Sequence, residues 1–278
     1  MLPHESRRWL IGIGAQKAGT SWLYNALAEH PDVASPPIKE ISYFDYVHIR
    51  NKALPRRRED VARDLRSRIP EAVDSYLSTG TVAATDADTR ALRFAFDEIN
   101  DTWYTHVFPP QGTALDVTPA YAARPQEGFA HMAKICRDPA VFYVLRHPVE
   151  RILSQVRYRY RPDMRERQGR DDKTLSDEHE DELIRFIRSR AVMRRTDYGG
   201  TLRRLWKEIA RDRTLVLFYD SFCVDPRATA RYICAHAELD PDRLPTPATD
   251  RINTTQPYEF SEKLLDEVRH ISKPIVKD

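Results

Sequence analysis

The chain has 278 residues, of which 41% are hydrophobic and 31% charged, and its formal net charge is +2. This length suits one large α/β domain or two small ones, and we favour one. The near-neutral charge and the lack of any run of about 18 apolar residues do not indicate a nucleic-acid partner or membrane insertion. Three widely spaced cysteines form no metal-ligand pattern and suggest a reducing compartment. Because the residues before Trp9 leave no room for a signal peptide, we expect a soluble, cytoplasmic protein.

The first predicted strand leads into a glycine-punctuated loop and then a helix. The apolar run from Trp9 to Ile13 suits a buried parallel strand, which Gly14 ends. Residues 14–22 read GAQKAGTSW, and the apolar face that follows predicts a helix ending before Pro31. A strand, a loop and a helix N-terminus in this order bind an anion on backbone amides, aided by the helix dipole.

This loop departs from the Walker A pattern, in which lysine directly follows the second glycine. Gly14 and Gly19 have four residues between them, as in a Walker loop, but Thr20 takes the lysine position. The loop's single lysine, Lys17, lies between the two glycines instead. The sequence therefore predicts an anion site without the nucleoside triphosphate signature.

The next segments predict a loop, a helical excursion and a second strand. Two prolines within residues 36–45 indicate a loop that runs into a short extended segment and carries Lys39 beside the first loop. Residues 50–80 and 88–103 have apolar positions at helical spacing. A second strand is expected over residues 113–117, where Asp116 either caps a neighbouring turn or places a carboxylate at the sheet edge that binds ligands in open α/β sheets.

A third strand is predicted over residues 141–145, followed by a helix from Pro148. Arg146 lies where this strand opens into the helix, at the same edge as the first loop if both strands are parallel. Ser154 lies about 9 Å along the helix at about 1.5 Å per residue, a span that an arginine side chain and one phosphate group bridge. The junction is therefore a second candidate anion site.

The remaining residues predict further helices and one more strand. Residues 157–195 are rich in arginine and acid and indicate either a solvated excursion, with a mixed-charge helix near 180–195, or a flap over an acceptor site. A buried strand over residues 214–219 has helical segments on both sides, and a last helix covers 264–271. This alternation favours a single α/β domain with a central, mostly parallel sheet flanked by helices.

Together these segments resemble the sulfotransferases that use 3′-phosphoadenosine-5′-phosphosulfate (PAPS). Residues 14–23, GAQKAGTSWL, look like that family's loop for the 5′-phosphosulfate, and residues 141–154, VFYVLRHPVERILS, like its element for the 3′-phosphate. Three further segments match in order: LysGlu at 39 and 40 with Tyr43 and Phe44, residues 116–121, and the strand followed by Asp225 and Pro226. The resemblance covers most of the chain and implies one sulfotransferase domain over residues 1–278 with a P-loop-like 5′-phosphosulfate loop.

The resemblance also implies roles for individual residues. Lys17 would stabilise charge on the bridging and 5′-phosphate oxygens as the sulfuryl group leaves, and Trp22 would stack on adenine. Arg146 and Ser154 would bind the 3′-phosphate, and Arg251 and Asn253 would close over the nucleotide. The full set implied for donor binding is Lys17, Ala18, Gly19, Thr20, Ser21, Trp22, Arg146, Ser154, Arg251 and Asn253.

The implied reaction is an in-line transfer of a sulfuryl group to a hydroxyl or amine of a small-molecule or carbohydrate acceptor, with 3′,5′-adenosine bisphosphate (PAP) as product and no metal. In the carbohydrate-modifying branch a glutamate precedes LysThrPro, whereas here Asp116 precedes ValThrPro. Asp116 is therefore the predicted general base, one methylene shorter, and His48 or His106 is the alternative. The excursions near residues 46–107 and 157–197 are expected to shape the acceptor site.

Two other functions remain in competition. A nucleotide-dependent phosphoryl transferase of the kinase type predicts a Walker lysine and magnesium dependence, and the lysine is missing. A nucleic-acid-binding protein that uses the arginines of residues 157–195 predicts affinity that falls steeply with salt, but acidic residues are interspersed there. The sequence identifies neither the acceptor nor the oligomeric state.

Overall fold

Five parallel strands form the central sheet in the computed structural model, which describes residues 7–159, 177–245 and 260–277. The strands are β1 Trp9–Gly14, β2 Val33–Ala34, β3 Thr113–Val117, β4 Ala140–Leu145 and β5 Thr214–Phe218. Their order is β2-β3-β1-β4-β5, and every neighbouring pair is parallel. All residues of β1 and β3 are buried, as expected for central strands covered on both faces. The predicted single α/β domain with a parallel sheet is confirmed.

Helices fill the connections between the strands. They are α1 Thr20–Ala28, α2 Tyr43–Ile49, α3 Ala53–Arg68, α4 Pro70–Thr79, α5 Asp86–Phe96, α6 Asp101–His106, α7 Gln126–Cys136, α8 Pro148–Arg159, α9 Asp177–Ile187, α10 Arg190–Thr196, α11 Tyr198–Leu205, α12 Tyr219–Val224, α13 Pro226–His236 and α14 Glu262–Lys277. A 3-10 turn, Tyr121–Ala123, follows β3. No helix in the described ranges is both long and apolar enough to cross a membrane.

The helical excursion between β2 and β3 has a small core of its own. Helices α3, α4 and α5 bury a cluster of apolar side chains against one another, made of Ala62, Leu65, Val73, Leu92 and Ala95. Residues 50–80 and 88–103 are thus helical, as their spacing predicts. The excursion packs back on the main core through α2 and α6, because Tyr43 stacks on Tyr104 with ring centroids 4.7 Å apart.

One prediction for local structure is wrong, and one short strand was not predicted. The expected extended segment around Tyr43 and Phe44 is the start of helix α2, and both side chains are fully buried, which a half-exposed strand does not allow. Tertiary contacts decide this, since the backbone N–H of Tyr43 donates to the Tyr121 hydroxyl at 3.0 Å. The short strand β2 has no counterpart among the predicted strands, because two residues carry no periodicity.

The expected solvated helix near residues 180–195 is also wrong in part. The chain forms two helices there, α9 and α10, and the side chain of Ser189 caps the second by accepting a hydrogen bond from the Val192 N–H. Leu183, Ile187 and Val192 are buried against α8 and α14 in a second apolar cluster. The segment therefore packs on the domain, while residues 160–176 of the same excursion lie outside the described residues.

Candidate functional site

The first loop, residues 14–19, lies at the carboxyl edge of the sheet between β1 and α1. Lys17 and Gly19 adopt left-handed backbone angles, with φ of 72° and 75°. A Cβ atom on Gly19 would lie 2.4 Å from the Phe222 ring, so only glycine fits there. No side chain of the described residues caps the start of α1. The N-terminal N–H groups of α1 are therefore available to an anion.

Arg146 joins the first loop from the neighbouring strand. Its Nη1 donates a hydrogen bond of 2.8 Å to the carbonyl of Lys17. The guanidinium lies 4.5 Å from the centroid of the Tyr219 ring, and the Tyr198 hydroxyl donates to the Arg146 carbonyl at 2.7 Å. Because β4 pairs with β1 in parallel, the structure brings together the two motifs that the sequence places 129 residues apart.

Helix α8 continues from this junction and contacts the first loop through Tyr158. Ser154 is buried, with 6% of its surface exposed, and it is the polar side chain that the sequence links to Arg146. One turn later, the Tyr158 ring lies 4.2 Å below the ammonium group of Lys17. A cation over an aromatic face is attracted by the negative face of the ring. Lys17 is therefore held at the loop by an aromatic contact that the sequence did not predict.

Lys39 reaches the first loop from the other side. Its ammonium donates to the Ser21 hydroxyl at 2.5 Å and lies 3.5 Å from Glu40 Oε1. Burial lowers the pKa of Lys39, and the Glu40 carboxylate opposes that shift. The prediction that Lys39 lies beside the first loop is confirmed. Three cations, Lys17, Lys39 and Arg146, thus lie in or beside the first loop and the start of α1.

Comparison with known proteins identifies the family to which this arrangement belongs. The family model described as "Sulfotransferase family" matches residues 10–243, which include both anion-binding motifs. The chain belongs to the sulfotransferase family. The comparison with curated proteins returned no match.

Solved structures of bacterial sulfotransferases share the fold of this chain. A sulfotransferase from Alicyclobacillus acidocaldarius aligns with a TM-score of 0.54 at 22% identity over 98% of this chain and 94% of that one. The sulfotransferase domain from the curacin biosynthetic pathway gives a TM-score of 0.52 at 13% identity, over 97% and 98%. The sulfotransferase domain of the Synechococcus PCC 7002 olefin synthase gives 0.51 at 18% identity, over 99% and 97%. At these identities the likeness concerns the fold alone.

Asp116 of the sulfotransferase is buried in β3 and accepts hydrogen bonds from three hydroxyl groups. The Thr118 hydroxyl donates to Oδ1 at 2.8 Å, and the hydroxyls of Tyr104 and Tyr121 donate to Oδ2 at 3.0 and 2.9 Å. Burial raises the pKa of Asp116, and these three donors oppose the shift. Thr118 and Tyr121 in turn accept the backbone N–H groups of Ser42 and Tyr43. The carboxylate thus supports the start of α2, and its role as a general base stays a prediction.

The remaining predicted residues have less direct links to the first loop. His48 bonds to His131 at 3.0 Å, and the half-buried His106 bonds to the Thr102 carbonyl of its own helix. Trp22 is buried with its ring edge on Phe222, so its stacking on adenine stays a prediction. Arg251 and Asn253 lie outside the described residues. Ala18 and Thr20 are buried in the loop and at the start of α1.

Sequence reasoning missed the residue that fixes the turn next to Lys39. Arg57 of α3 donates through Nη1 to the Glu40 carbonyl and the Ser42 hydroxyl, and through Nη2 to Glu40 Oε2 at 3.0 Å. Glu40 and Ser42 adopt positive φ angles of 60° and 61°. Arg57 is one of many arginines in an amphipathic helix, so its pattern gives no signal of this contact. In the described ranges no group of three or more His, Cys, Asp or Glu side chains is placed to hold a metal ion.

Proposed function

We propose that this sulfotransferase transfers a sulfuryl group from PAPS to a hydroxyl or amine of a small-molecule or carbohydrate acceptor and releases PAP. The observation that carries the proposal is the hydrogen bond from Arg146 to the Lys17 carbonyl. It joins two separate anion-binding features at one sheet edge, and a donor with phosphate groups at both ends of a nucleoside matches such a pair. A protein that binds a single phosphate group needs only one such feature.

The residues present fit this donor. The uncapped start of α1 and the hydroxyls of Thr20 and Ser21 are suited to the 5′ end, and Arg146 with Ser154 to the 3′-phosphate. A helix N-terminus contributes only about 0.3 to 1 kcal/mol, whereas a charged hydrogen bond contributes about 1.5 to 3 kcal/mol. Lys17 and Arg146 should therefore dominate donor affinity. Closure of the site by Arg251 and Asn253 is a further part of the proposal.

The donor, when bound, supplies an activated sulfuryl group whose sulfur–oxygen bond breaks as the acceptor oxygen attacks. Lys17 would neutralise the negative charge that develops on the bridging oxygen, because its ammonium lies at the loop that receives the 5′ end. Lys39 would hold Ser21 in place through the 2.5 Å contact. The chain's contribution is positioning and electrostatics, with no covalent intermediate.

A general base must take the proton of the acceptor. Asp116 is the base predicted from the sequence, but 1% of its surface is exposed and three hydroxyls already donate to it. The Glu40 side chain is 33% exposed and lies 3.5 Å from Lys39, which contacts the first loop. We therefore propose Glu40 as the base, with Asp116 as the alternative.

The first prediction tests the two-ended donor site. Arg146→Ala should weaken PAP binding roughly 10- to 100-fold, since it removes a charged hydrogen bond. Isothermal titration calorimetry measures the affinity, and Arg203→Ala is the matched control, because Arg203 is exposed on α11. Unchanged PAP affinity in a folded Arg146→Ala protein contradicts the donor model. Binding of ATP with magnesium in preference to PAP would instead favour a phosphoryl transferase.

The second prediction tests the chemical role of Lys17. Lys17→Ala should reduce turnover at least 100-fold, because the ammonium stabilises charge that develops in the transition state. The melting temperature should stay close to that of the parent protein, since the Lys17 side chain lies at the site and outside the apolar core. Labelled sulfate transferred to a panel of acceptors measures turnover. Normal sulfate transfer by a folded Lys17→Ala protein would contradict this role.

A further inference from the structure

Two histidines from different helices bond to each other, and a carboxylate holds one of them. His48 of α2 and His131 of α7 lie with Nε2 and Nδ1 3.0 Å apart, and Nε2 of His131 lies 2.8 Å from Asp101 Oδ1. Asp101, at the start of α6, also accepts the Tyr43 hydroxyl at 2.5 Å. Because Tyr43 and His48 both belong to α2, these four side chains form a closed ring of contacts that ties α2 to α6 and α7.

Asp101 fixes the proton on one nitrogen of His131. Burial raises the pKa of Asp101, but the hydrogen bonds from Tyr43 and His131 outweigh burial and hold the pKa below its ordinary value. The carboxylate is therefore ionised at neutral pH and only accepts hydrogen bonds. Nε2 of His131 must then carry a proton, which leaves Nδ1 of the same ring to face His48.

The bond between the two imidazoles allows the pair one extra proton and excludes a second. A hydrogen bond between two ring nitrogens needs a proton on one of them and a lone pair on the other. The uncharged pair and the pair with a single positive charge both meet this condition. With two positive charges, N–H groups on His48 Nε2 and His131 Nδ1 face each other across 3.0 Å, and the bond breaks.

The surroundings of His48 favour its neutral form. Burial lowers the pKa of His48, and His131 of α7 and the Arg124 guanidinium lower it further. The carboxylates of Glu127 on α7 and Asp101 on α6 oppose this shift. Because the unfolded chain binds the proton more readily than the folded one, the His48 contact is at full strength above about pH 6.5 and weakens as the pH falls.

Helix α2 connects these contacts to the candidate site. It begins directly after the turn of Glu40 and Ser42, both of which have positive φ angles. Its first residue, Tyr43, donates its backbone N–H to the Tyr121 hydroxyl at 3.0 Å and its own hydroxyl to Asp101. The residue that begins α2 at this turn is thus part of the closed ring.

We propose that Tyr43, His48, Asp101 and His131 form an acid-sensitive latch, which holds α2 against α6 and α7 and opens when both imidazoles are protonated. The four side chains are positioning residues in this inference, because they act on the turn of Glu40 through the backbone of α2. The latch does not depend on which group the enzyme transfers. Its test therefore measures the fold and is independent of the proposed function.

The test is hydrogen–deuterium exchange of the full chain at about pH 7.5 and about pH 5.5, which lie on either side of the ordinary histidine pKa. Rates are corrected for the intrinsic effect of pH on exchange. The proteins are the parent, His48→Gln and the control His270→Gln, whose histidine is exposed on α14. A glutamine amide can donate to or accept from His131 Nδ1 and does not titrate, so His48→Gln keeps the contact at both pH values.

In the parent and in His270→Gln, we expect peptides covering residues 40–50 to exchange at least about 5-fold faster at the lower pH. In His48→Gln the change should be less than about 2-fold. Peptides covering Trp9–Gly14 should keep their rates in all three proteins, which separates local opening from global unfolding. Equal acid responses in the parent and His48→Gln, or no acid response in the parent, would overturn the inference.

Nuclear magnetic resonance of the parent protein gives a second readout that needs no variant. The ring signals of His48 and His131 should titrate in two steps, with both rings responding to each step, as coupled groups do. The second step should coincide with the faster exchange of residues 40–50. Independent single-step titrations of the two rings would contradict a shared proton and overturn the latch even if His48→Gln failed to fold.

Discussion

Two hydroxyl groups link the Asp116 carboxylate to two backbone N–H groups. Thr118 and Tyr121 donate to Asp116 and accept from the N–H groups of Ser42 and Tyr43, respectively. Each hydroxyl donates its one hydrogen bond to the carboxylate, and its oxygen can then accept a hydrogen bond from a backbone N–H. The hydrogen bonds to Asp116 therefore fix the direction of both relays and, through them, the start of α2 beside Glu40.

The third prediction distinguishes Glu40 from Asp116 as the base. Glu40→Gln should lower turnover at least 100-fold with PAP affinity and melting temperature nearly unchanged, the effect expected for loss of a general base. Asp116→Asn should instead destabilise the fold by about 1 to 3 kcal/mol, because its amide N–H₂ has no acceptor among three hydroxyl donors. Urea denaturation and kcat measure the two effects.

The opposite result would assign the base to Asp116. A stable Asp116→Asn protein with a large loss of kcat, together with an active Glu40→Gln protein, would contradict the role proposed for Glu40. If both variants kept full turnover, a histidine would take the proton, and His48 is the first candidate.

The sequence predicts the location of residues that belong to short local motifs. It does not predict which residues contact the site from a distant part of the chain. Lys17 and Arg146 follow strands with clear apolar runs, and parallel pairing at one edge then places them together. Arg57 comes from an arginine-rich helix, where the sequence does not tell which side chain turns inward. Only the tertiary contacts of α3 with Glu40 and Ser42 single it out.

At the scale of elements, the segment before α2 shows where periodicity misleads. Ile41 and Tyr43 alternate like a strand, yet both are fully buried together with Phe44, as in a helix that packs on two sides. The left-handed angles of Glu40 and Ser42 make the sharp turn that starts this helix, and such angles cost about 1 to 3 kcal/mol each in non-glycine residues. The turn therefore needs external support.

The fourth prediction concerns the support that α3 gives this turn. Arg57→Ala removes the hydrogen bonds to Glu40 and Ser42, so turnover should fall about 10-fold or more as Glu40 loses its orientation. Arg57→Lys should recover part of the turnover, because lysine keeps the positive charge but lacks the two guanidinium nitrogens that donate together to Glu40 and Ser42. Steady-state kinetics give kcat and KM for each variant.

Arg56→Ala is the matched control for Arg57, since Arg56 is the exposed preceding residue of the same helix. Its kcat and KM should equal those of the parent protein. PAP affinity should be unchanged in Arg57→Ala, because the contacts of Arg57 lie on Glu40 and Ser42. Full turnover in Arg57→Ala would show that the turn keeps its geometry without α3.

At the scale of the whole molecule, helix α8 belongs to both the proposed donor site and a second apolar cluster. Tyr158 contacts Lys17 of the first loop, whereas Ile152 and Val156 pack with side chains of α9, α10 and α14. A bidentate ion pair between Arg188 and Glu267 also joins these helices at 2.7 and 2.8 Å. Arg188 is 59% exposed, so solvent screens this pair, and apolar burial dominates.

The fifth prediction tests the cluster that anchors the C-terminal helix. Leu264 is 1% exposed in this cluster, so Leu264→Ala should lower the free energy of unfolding by about 2 to 5 kcal/mol through lost burial and the cavity left behind. Leu265 is partly exposed on the same helix, and Leu265→Ala should cost distinctly less. Urea denaturation of both variants provides the comparison. Both leucines contact the same cluster and differ in burial, so equal losses for the two variants would show that burial of Leu264 in this cluster does not anchor α14.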